Sequence, residues 1–256
     1  MESREGLVGV VGWVGIEVWK GTHLPNLPNL PNLFIDIIRC QTTQDFLQTA
    51  VKHLTDAIVA AQYDGKTATI GLSGGSTPKP IYEKLSSEKK IDWKRVQFFL
   101  LDERYVLADH ADSNTKMIRD TLLKNSAVDA SFLFPDTNLP LEDCVSDYNQ
   151  KISVLHPDLL ILGMGPDGHI ASLFPPVSSE AFGPASVIHT ETDLFAVHDR
   201  ISVTFPVLEA ATKRVFLITG AEKYSLLQKM QDGNQDASLF PASALMDERT
   251  TWVVGP

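Results

Sequence analysis

Short apolar runs without polar alternation recur along the chain: FFLL at 98–101, LLIL at 159–162, VFLI at 215–218 and WVV at 252–254. A strand with one wet face alternates polar and apolar residues, so strands that are apolar throughout must be covered on both faces. Between these runs lie segments with helical spacing. Residues 42–62 place Phe46, Leu47, Ala50, Val51, Leu54 and Ile58 on one helix face behind a Thr42 or Thr43 cap. Helices are also expected over 77–87, where Pro78 and Pro80 fit only the first turn, and over 113–125, 141–152 and 221–231. Strands are expected over 33–40, 67–75, 96–103, 158–165, 186–191, 214–220 and 251–255. The alternation implies an α/β fold: a doubly wound, mostly parallel, Rossmann-like sheet with helices on both faces. Ligands of such sheets sit beyond the carboxyl ends of the strands, and the unusual residues of this chain fall there.

Residues 1–32 read differently. LPNLPNLPNL repeats Pro-Asn-Leu through Pro25, Pro28 and Pro31, which excludes helix and favours an extended linker. The expectation is an N-terminal extension followed by a single α/β domain at 33–256. The apolar piece before the repeat is short, broken by glycine and preceded by the acidic MESRE, so no signal peptide is expected. No stretch reaches the roughly 18 consecutive apolar residues of a membrane span. A formal net charge of −10 disfavours nucleic acid and anionic membrane as partners, so positive charge for an anionic ligand must be local. Cys40 and Cys144 stand in no metal or redox spacing and read as buried free thiols of a reducing, cytoplasmic compartment.

Four segments at strand ends carry chemistry. LSGGSTPKP (72–80) closes a strand and opens a helix; Gly74 and Gly75 allow a sharp turn, and Ser73, Ser76 and Thr77 add hydroxyls. It reads as a phosphate cradle at a helix start, or else as an ordinary capped turn. FFLLDER (98–104) expels Asp102, Glu103 and Arg104 from a buried strand at the sheet edge, where Arg104 could meet an oxyanion or a surface carboxylate. LGMGPDGHIASLFPP (162–176) holds a literal G-x-G-x-x-G at Gly163, Gly165 and Gly168. A dinucleotide site would need a long helix next, with an acid such as Glu191 or Asp193 on the following strand. Here a helix starting near Asp167 would stop at Pro175 and Pro176 after about two turns. The segment instead reads as a glycine turn presenting His169, the side chain best suited to general base work near neutral pH. Finally, Arg200 precedes a helix-like stretch and Lys223 opens another helix; each could neutralise a phosphate or simply face solvent.

Taken in order, LSGGSTP, LLDER…SN and LGMGPDGHIASLFP resemble the 6-phosphogluconolactonase family, as do RISVTFP (200–206), FLITGAEK (216–223) and FPASAL (240–245). The resemblance runs from about residue 34 to the end and implies a sugar-phosphate isomerase-type α/β fold. The sister glucosamine-6-phosphate deaminases carry Phe-Asn-Glu where this chain has Ser172-Leu173-Phe174, and a tyrosine in the place of Arg104. Ile170 alone leans toward the deaminases. Val106 and Leu107 stand where lactonases commonly have a proline, and DLFAVHDR (193–200) replaces a proline-rich stretch before the late arginine.

The resemblance implies hydrolysis of 6-phospho-D-glucono-1,5-lactone, the second step of the oxidative pentose phosphate pathway. His169 would deprotonate a water, and amides of the Gly163–Gly168 turn would stabilise the oxyanion. Arg104 would orient His169 or the substrate, with Asp102 holding that network in register. Ser73, Gly74, Gly75, Ser76 and Thr77 would cradle the phosphate with Gly165, Gly168, Arg200 and Lys223. The expected partner is a small-molecule sugar-phosphate lactone, the chain being a monomer or weak homo-oligomer. No cofactor or metal is implied: His169, His189 and His198 are scattered in sequence. A deaminase/isomerase and a non-catalytic sugar-phosphate sensor stay open as alternatives.

Overall fold

The computed structural model describes residues 36–233 and 236–256; the expectation for residues 1–32 lies outside the described residues. In chain order the elements are β1 (Asp36–Arg39), α1 (Thr43–Ala61), β2 (Ala68–Leu72), α2 (Lys79–Leu85), β3 (Val96–Leu100), β4 (Asp102–Arg104), α3 (Asn114–Thr121) and β5 (Ser131–Leu133). They continue with α4 (Leu141–Ile152), β6 (Leu159–Leu162), β7 (Val187–Glu191), β8 (Asp199–Val203), α5 (Phe205–Ala210), β9 (Lys213–Thr219), α6 (Ala221–Gln231) and β10 (Thr250–Gly255). Helix α1 begins as its sequence dictates: the Thr42 hydroxyl accepts the Asp45 N–H at 3.1 Å.

The main sheet has seven strands in the order β1-β10-β9-β6-β2-β3-β5, with every neighbouring pair parallel. Continuous apolar strands feed two cores, one on each face. Phe98, Leu100, Leu159 and Ile161 pack with Leu54 and Ile58 of α1 and Ile81 and Leu85 of α2. Their neighbours Phe99, Leu160 and Leu162 point the other way, to Tyr148 and Ile152 of α4, Leu208 of α5 and Leu227 of α6. This is the doubly wound architecture that the apolar runs imply. Leu160 is fully buried, so truncating it to alanine would cost about 2–5 kcal/mol. Cys40 and Cys144 are buried and unpaired, as expected.

The expected single strand over 96–103 is in fact two. Leu101 is the pivot: its N–H donates to Leu72 O at 2.9 Å, while its carbonyl accepts Val203 N–H at 2.9 Å. Beyond it the chain leaves the main sheet and enters a second, antiparallel sheet, β4-β8-β7. Residues 186–191 therefore belong to this small sheet, and Arg200 lies in strand β8 rather than merely ahead of a helix. Nor does a helix form after the third glycine motif; residues 166–174 are turn and bend with an isolated bridge between Ile170 and Leu173.

Strand order places the site. From β2 the chain steps outward to β3 and β5, then returns to β6 on the other side of β2. Connections diverge between β2 and β6, which opens a crevice at their carboxyl ends.

Candidate active site

The loop after β2 forms one wall of the crevice. Ser73 N–H donates to Ile161 O at 3.0 Å, and Ser73 O accepts the Tyr82 hydroxyl at 2.9 Å, tying the loop to β6 and α2. Gly75 has φ +104°, a region that side-chain-bearing residues rarely enter. Gly74 is required for closeness instead: a Cβ there would lie 1.9 Å from Asn114 Oδ1. Helix α2 offers an anion less than the sequence suggests, because it is seven residues long and Pro78 and Pro80 carry no N–H. The candidate donors are the Gly74–Thr77 amides and the hydroxyls of Ser73, Ser76 and Thr77.

The second motif does not simply emerge at the sheet edge. Asp102, Glu103 and Arg104 form β4, and Glu103 is buried. Its carboxylate accepts the N–H groups of Arg104 (2.8 Å), Asn114 (2.7 Å) and Thr115 (2.7 Å) and the Ser113 hydroxyl (3.1 Å). Glu103 thereby anchors the start of α3, where anionic charge is favoured. Burial pushes its carboxyl up, and the backbone donors hold it down against that. Asp102 faces the other way and accepts the Ser172 hydroxyl at 2.9 Å.

His169 is held by a residue that the sequence reading missed. Its Nδ1 lies 2.6 Å from Asp167 Oδ1. Burial raises the Asp167 carboxyl, but the hydrogen bond to His169 and its charge outweigh this and hold it below the usual range. An ionised Asp167 can only accept, so Nδ1 carries a proton, and in the neutral ring Nε2 is then the nitrogen with the lone pair. Neither Arg104 nor Asp102 hydrogen-bonds His169; Arg104 Nη1 donates to Asp112 O at 2.7 Å. The ring is flanked by Phe174 at 4.7 Å and Phe195 at 6.0 Å between centroids. The acid two positions before the histidine, inside the glycine motif, was the available signal for Asp167. Ser172 and Asn114 lay within the quoted motifs but were given no role, and Phe195 carried no signal, since only folding brings it in.

Two amides of the glycine turn are bonded internally. Gly165 N–H donates to His169 O at 2.9 Å and Gly168 N–H to Gly165 O at 3.1 Å, so both amides are consumed within the turn and neither awaits an oxyanion. Gly165 serves instead by lacking a side chain: a Cβ would sit 2.1 Å from His169 Nδ1. Gly168 lies outside the cavity, with φ +86°, near Leu226 and Phe240.

Ser73–Pro78, Asp102, Arg104, Asn114, His169, Ser172, Phe195, Arg200 and Lys223 surround a cavity of about 240 Å³. Arg104 and Arg200 are direct cross-strand partners, an arrangement that is repulsive unless an anion joins them. Among the described residues neither makes an ion pair. Burial lowers the Arg200 pKa and Arg104 lowers it further; burial likewise lowers Lys223, which Asp167 partly offsets. Ser73 Oγ, Arg104 Nε and Asn114 Oδ1 are buried around this cavity without a partner. Native interiors rarely leave such groups unpaired, so their clustering marks a polar ligand's place.

Unpaired cationic side chains at the switch point of a parallel sheet, beside a histidine bonded to a carboxylate, define this site. Residues 41–254 match the family described as "Glucosamine-6-phosphate isomerases/6-phosphogluconolactonase", and the chain belongs to that family. It is 36% identical to the "Probable 6-phosphogluconolactonase" of Dictyostelium discoideum, across 80% of this chain and 91% of that one. Among solved structures, a 6-phosphogluconolactonase of Thermotoga maritima is 30% identical with a TM-score of 0.76, covering 87% of this chain and 100% of its own. One from Shewanella baltica gives a TM-score of 0.79 at 26% identity, covering 87% and 98% respectively.

Proposed function

We propose that this chain hydrolyses 6-phospho-D-glucono-1,5-lactone to 6-phospho-D-gluconate, the second step of the oxidative pentose phosphate pathway, with His169 as general base. The observation that carries the reading is the His169–Asp167 pair at 2.6 Å, which leaves Nε2 as a proton acceptor in a cavity shared with Arg104, Arg200 and Lys223. A lactone is an activated ester, so a water suffices as nucleophile. Nε2 takes the water's proton as its oxygen attacks C1, and the imidazolium that forms is stabilised by Asp167. The tetrahedral intermediate then collapses by breaking the bond from C1 to the ring oxygen, which takes the proton back from the imidazolium, and such assistance is worth about 10²–10⁴-fold. The Ser73–Thr77 loop and the cationic side chains hold the phosphate and the developing oxyanion. Asp102 acts at one remove, fixing Ser172 and so the segment that follows His169. The reading requires neither cofactor nor membrane, and it takes the enzyme as cytoplasmic and monomeric or weakly associating.

The choice within the family rests on the third motif. Phe174 stands where the deaminases carry a glutamate, and here it packs on His169 rather than offering a carboxylate. The test is hydrolysis of freshly made lactone above the spontaneous rate by the parent and by His169→Ala, with ammonia release from glucosamine 6-phosphate run alongside. Hydrolysis lost in the variant is the expected result. A parent without acceleration overturns the reading; ammonia release would then favour the deaminase, and silence on both a sensor.

A further inference from the structure

Strands β7 and β8 form a hairpin whose loop end carries an unexplained cluster. Register pairs Glu191 directly with Asp199, so two carboxylates face each other across the ladder. Like charges so placed are destabilising and call for a cation. His189, two positions before Glu191, shares its face of β7 and brings Nε2 to 2.9 Å from Asp199 Oδ1. The donor atoms of His189, Glu191 and Asp199 all lie within 4.8 Å of one another. His198 lies beside this group, its Nδ1 3.8 Å from Asp199 Oδ1. Among the described residues Glu191 has no ion-pair partner, and no lysine or arginine pairs with Asp199.

We propose that this hairpin end is a zinc site, with His189, Glu191 and Asp199 as ligands and His198 as the fourth. Mixed imidazole and carboxylate donors suit Zn²⁺, whereas Mg²⁺ and Ca²⁺ take all-oxygen sets. Tetrahedral ligands with bonds of about 2.0–2.2 Å stand roughly 3.3–3.6 Å apart, so His189, Glu191 and Asp199, at the observed spacing, need only small rotations to close on the ion, and the half-exposed His198 would swing in to complete the shell. The site is separate from the reaction centre yet linked to it. His189 and Glu191 line a second cavity that shares Phe174 with the catalytic one, and Asp199 directly precedes Arg200. The ion would brace the loop that carries Phe195 over His169.

Zinc binding is measured by titration calorimetry on the full chain, with Co²⁺ substitution read by visible absorption and hydrogen exchange followed over residues 192–199. Expected are one saturable ion, a tetrahedral Co²⁺ spectrum, and slower exchange in that loop when zinc is bound. Affinity should fall at least tenfold in both His189→Ala and Glu191→Gln and persist in His169→Ala. Glu191 is exposed, so Glu191→Gln keeps the test valid if His189→Ala fails to fold. Absence of saturable binding, undiminished affinity in both hairpin variants, or dependence on His169 instead would overturn the assignment.

Discussion

Gly165→Ala is the sharpest probe of the histidine's placement. The added Cβ would lie 2.1 Å from His169 Nδ1, 2.2 Å from Cε1 and 2.6 Å from Asp167 Oδ1. Ordinary contact begins at 3.4 Å, so the ring must retreat by about 1.3 Å (3.4 − 2.1), breaking its bond to Asp167. Gly165 has no positive φ, so the backbone itself tolerates alanine and the whole effect passes through the ring. A misplacement of about 1 Å costs on the order of 10²-fold in rate, or about 2.7 kcal/mol of barrier. The phosphate loop is untouched, so KM should move by less than about threefold while kcat falls. The ring has the open cavity to retreat into, so Tm should drop by no more than about 4 °C. The assay is proton release from fresh 6-phosphogluconolactone, corrected for spontaneous opening, for Gly165→Ala, His169→Ala and the double variant. Because both changes act on one ring, the double variant should be no slower than His169→Ala alone. A fully active Gly165→Ala, or effects that add in the double variant, would refute the assigned position of His169.

Gly74→Ala should act on binding instead. Its Cβ would collide with Asn114 Oδ1 at 1.9 Å and displace the amide that donates to Asp102 O, raising KM by about tenfold with a smaller change in kcat. Glu103→Gln replaces an acceptor of four hydrogen bonds with a group that must turn an NH₂ toward donors; an expected loss of about 2–3 kcal/mol is read from denaturant melts. Arg214 has no exposed side-chain surface and pairs with Asp247. Asp247→Asn should cost about 2 kcal/mol, less than a fully buried pair would, since Asp247 is partly exposed and Arg214 keeps bonds to Thr250 and Leu208. Burial raises the Asp247 carboxyl, but Arg214 and then Arg249 outweigh this and hold it below the usual range. Its contribution is therefore complete above about pH 4 and lost as pH falls through the lower folded value, so parent and variant melting temperatures should converge in acid.

Much of this protein was legible because local rules decide it. Burial on both faces requires apolar strands, and the runs at 98–101, 159–162 and 215–218 named the central sheet before any contact was known. The helices expected over 141–152 and 221–231 are α4 and α6 with the same bounds. Glycines between a strand and a helix marked the crevice, and His169 stood out because nothing about a buried core needs it there. What the linear chain withheld depends on distant partners. Strand β4 has only three residues, and it exists because Leu101 turns its carbonyl to Val203, about a hundred positions away in sequence. That turn converted Glu103 from an edge charge into a buried anchor and set Arg104 opposite Arg200. The same pairing of β7 with β8 gathered His189, Glu191 and Asp199 from positions that spacing alone leaves apart. Sequence determines which segments must be covered and where the backbone can turn, since sterics and hydrophobicity act within a few residues. Tertiary structure alone decides which charges meet, because electrostatic partners are set by proximity in space.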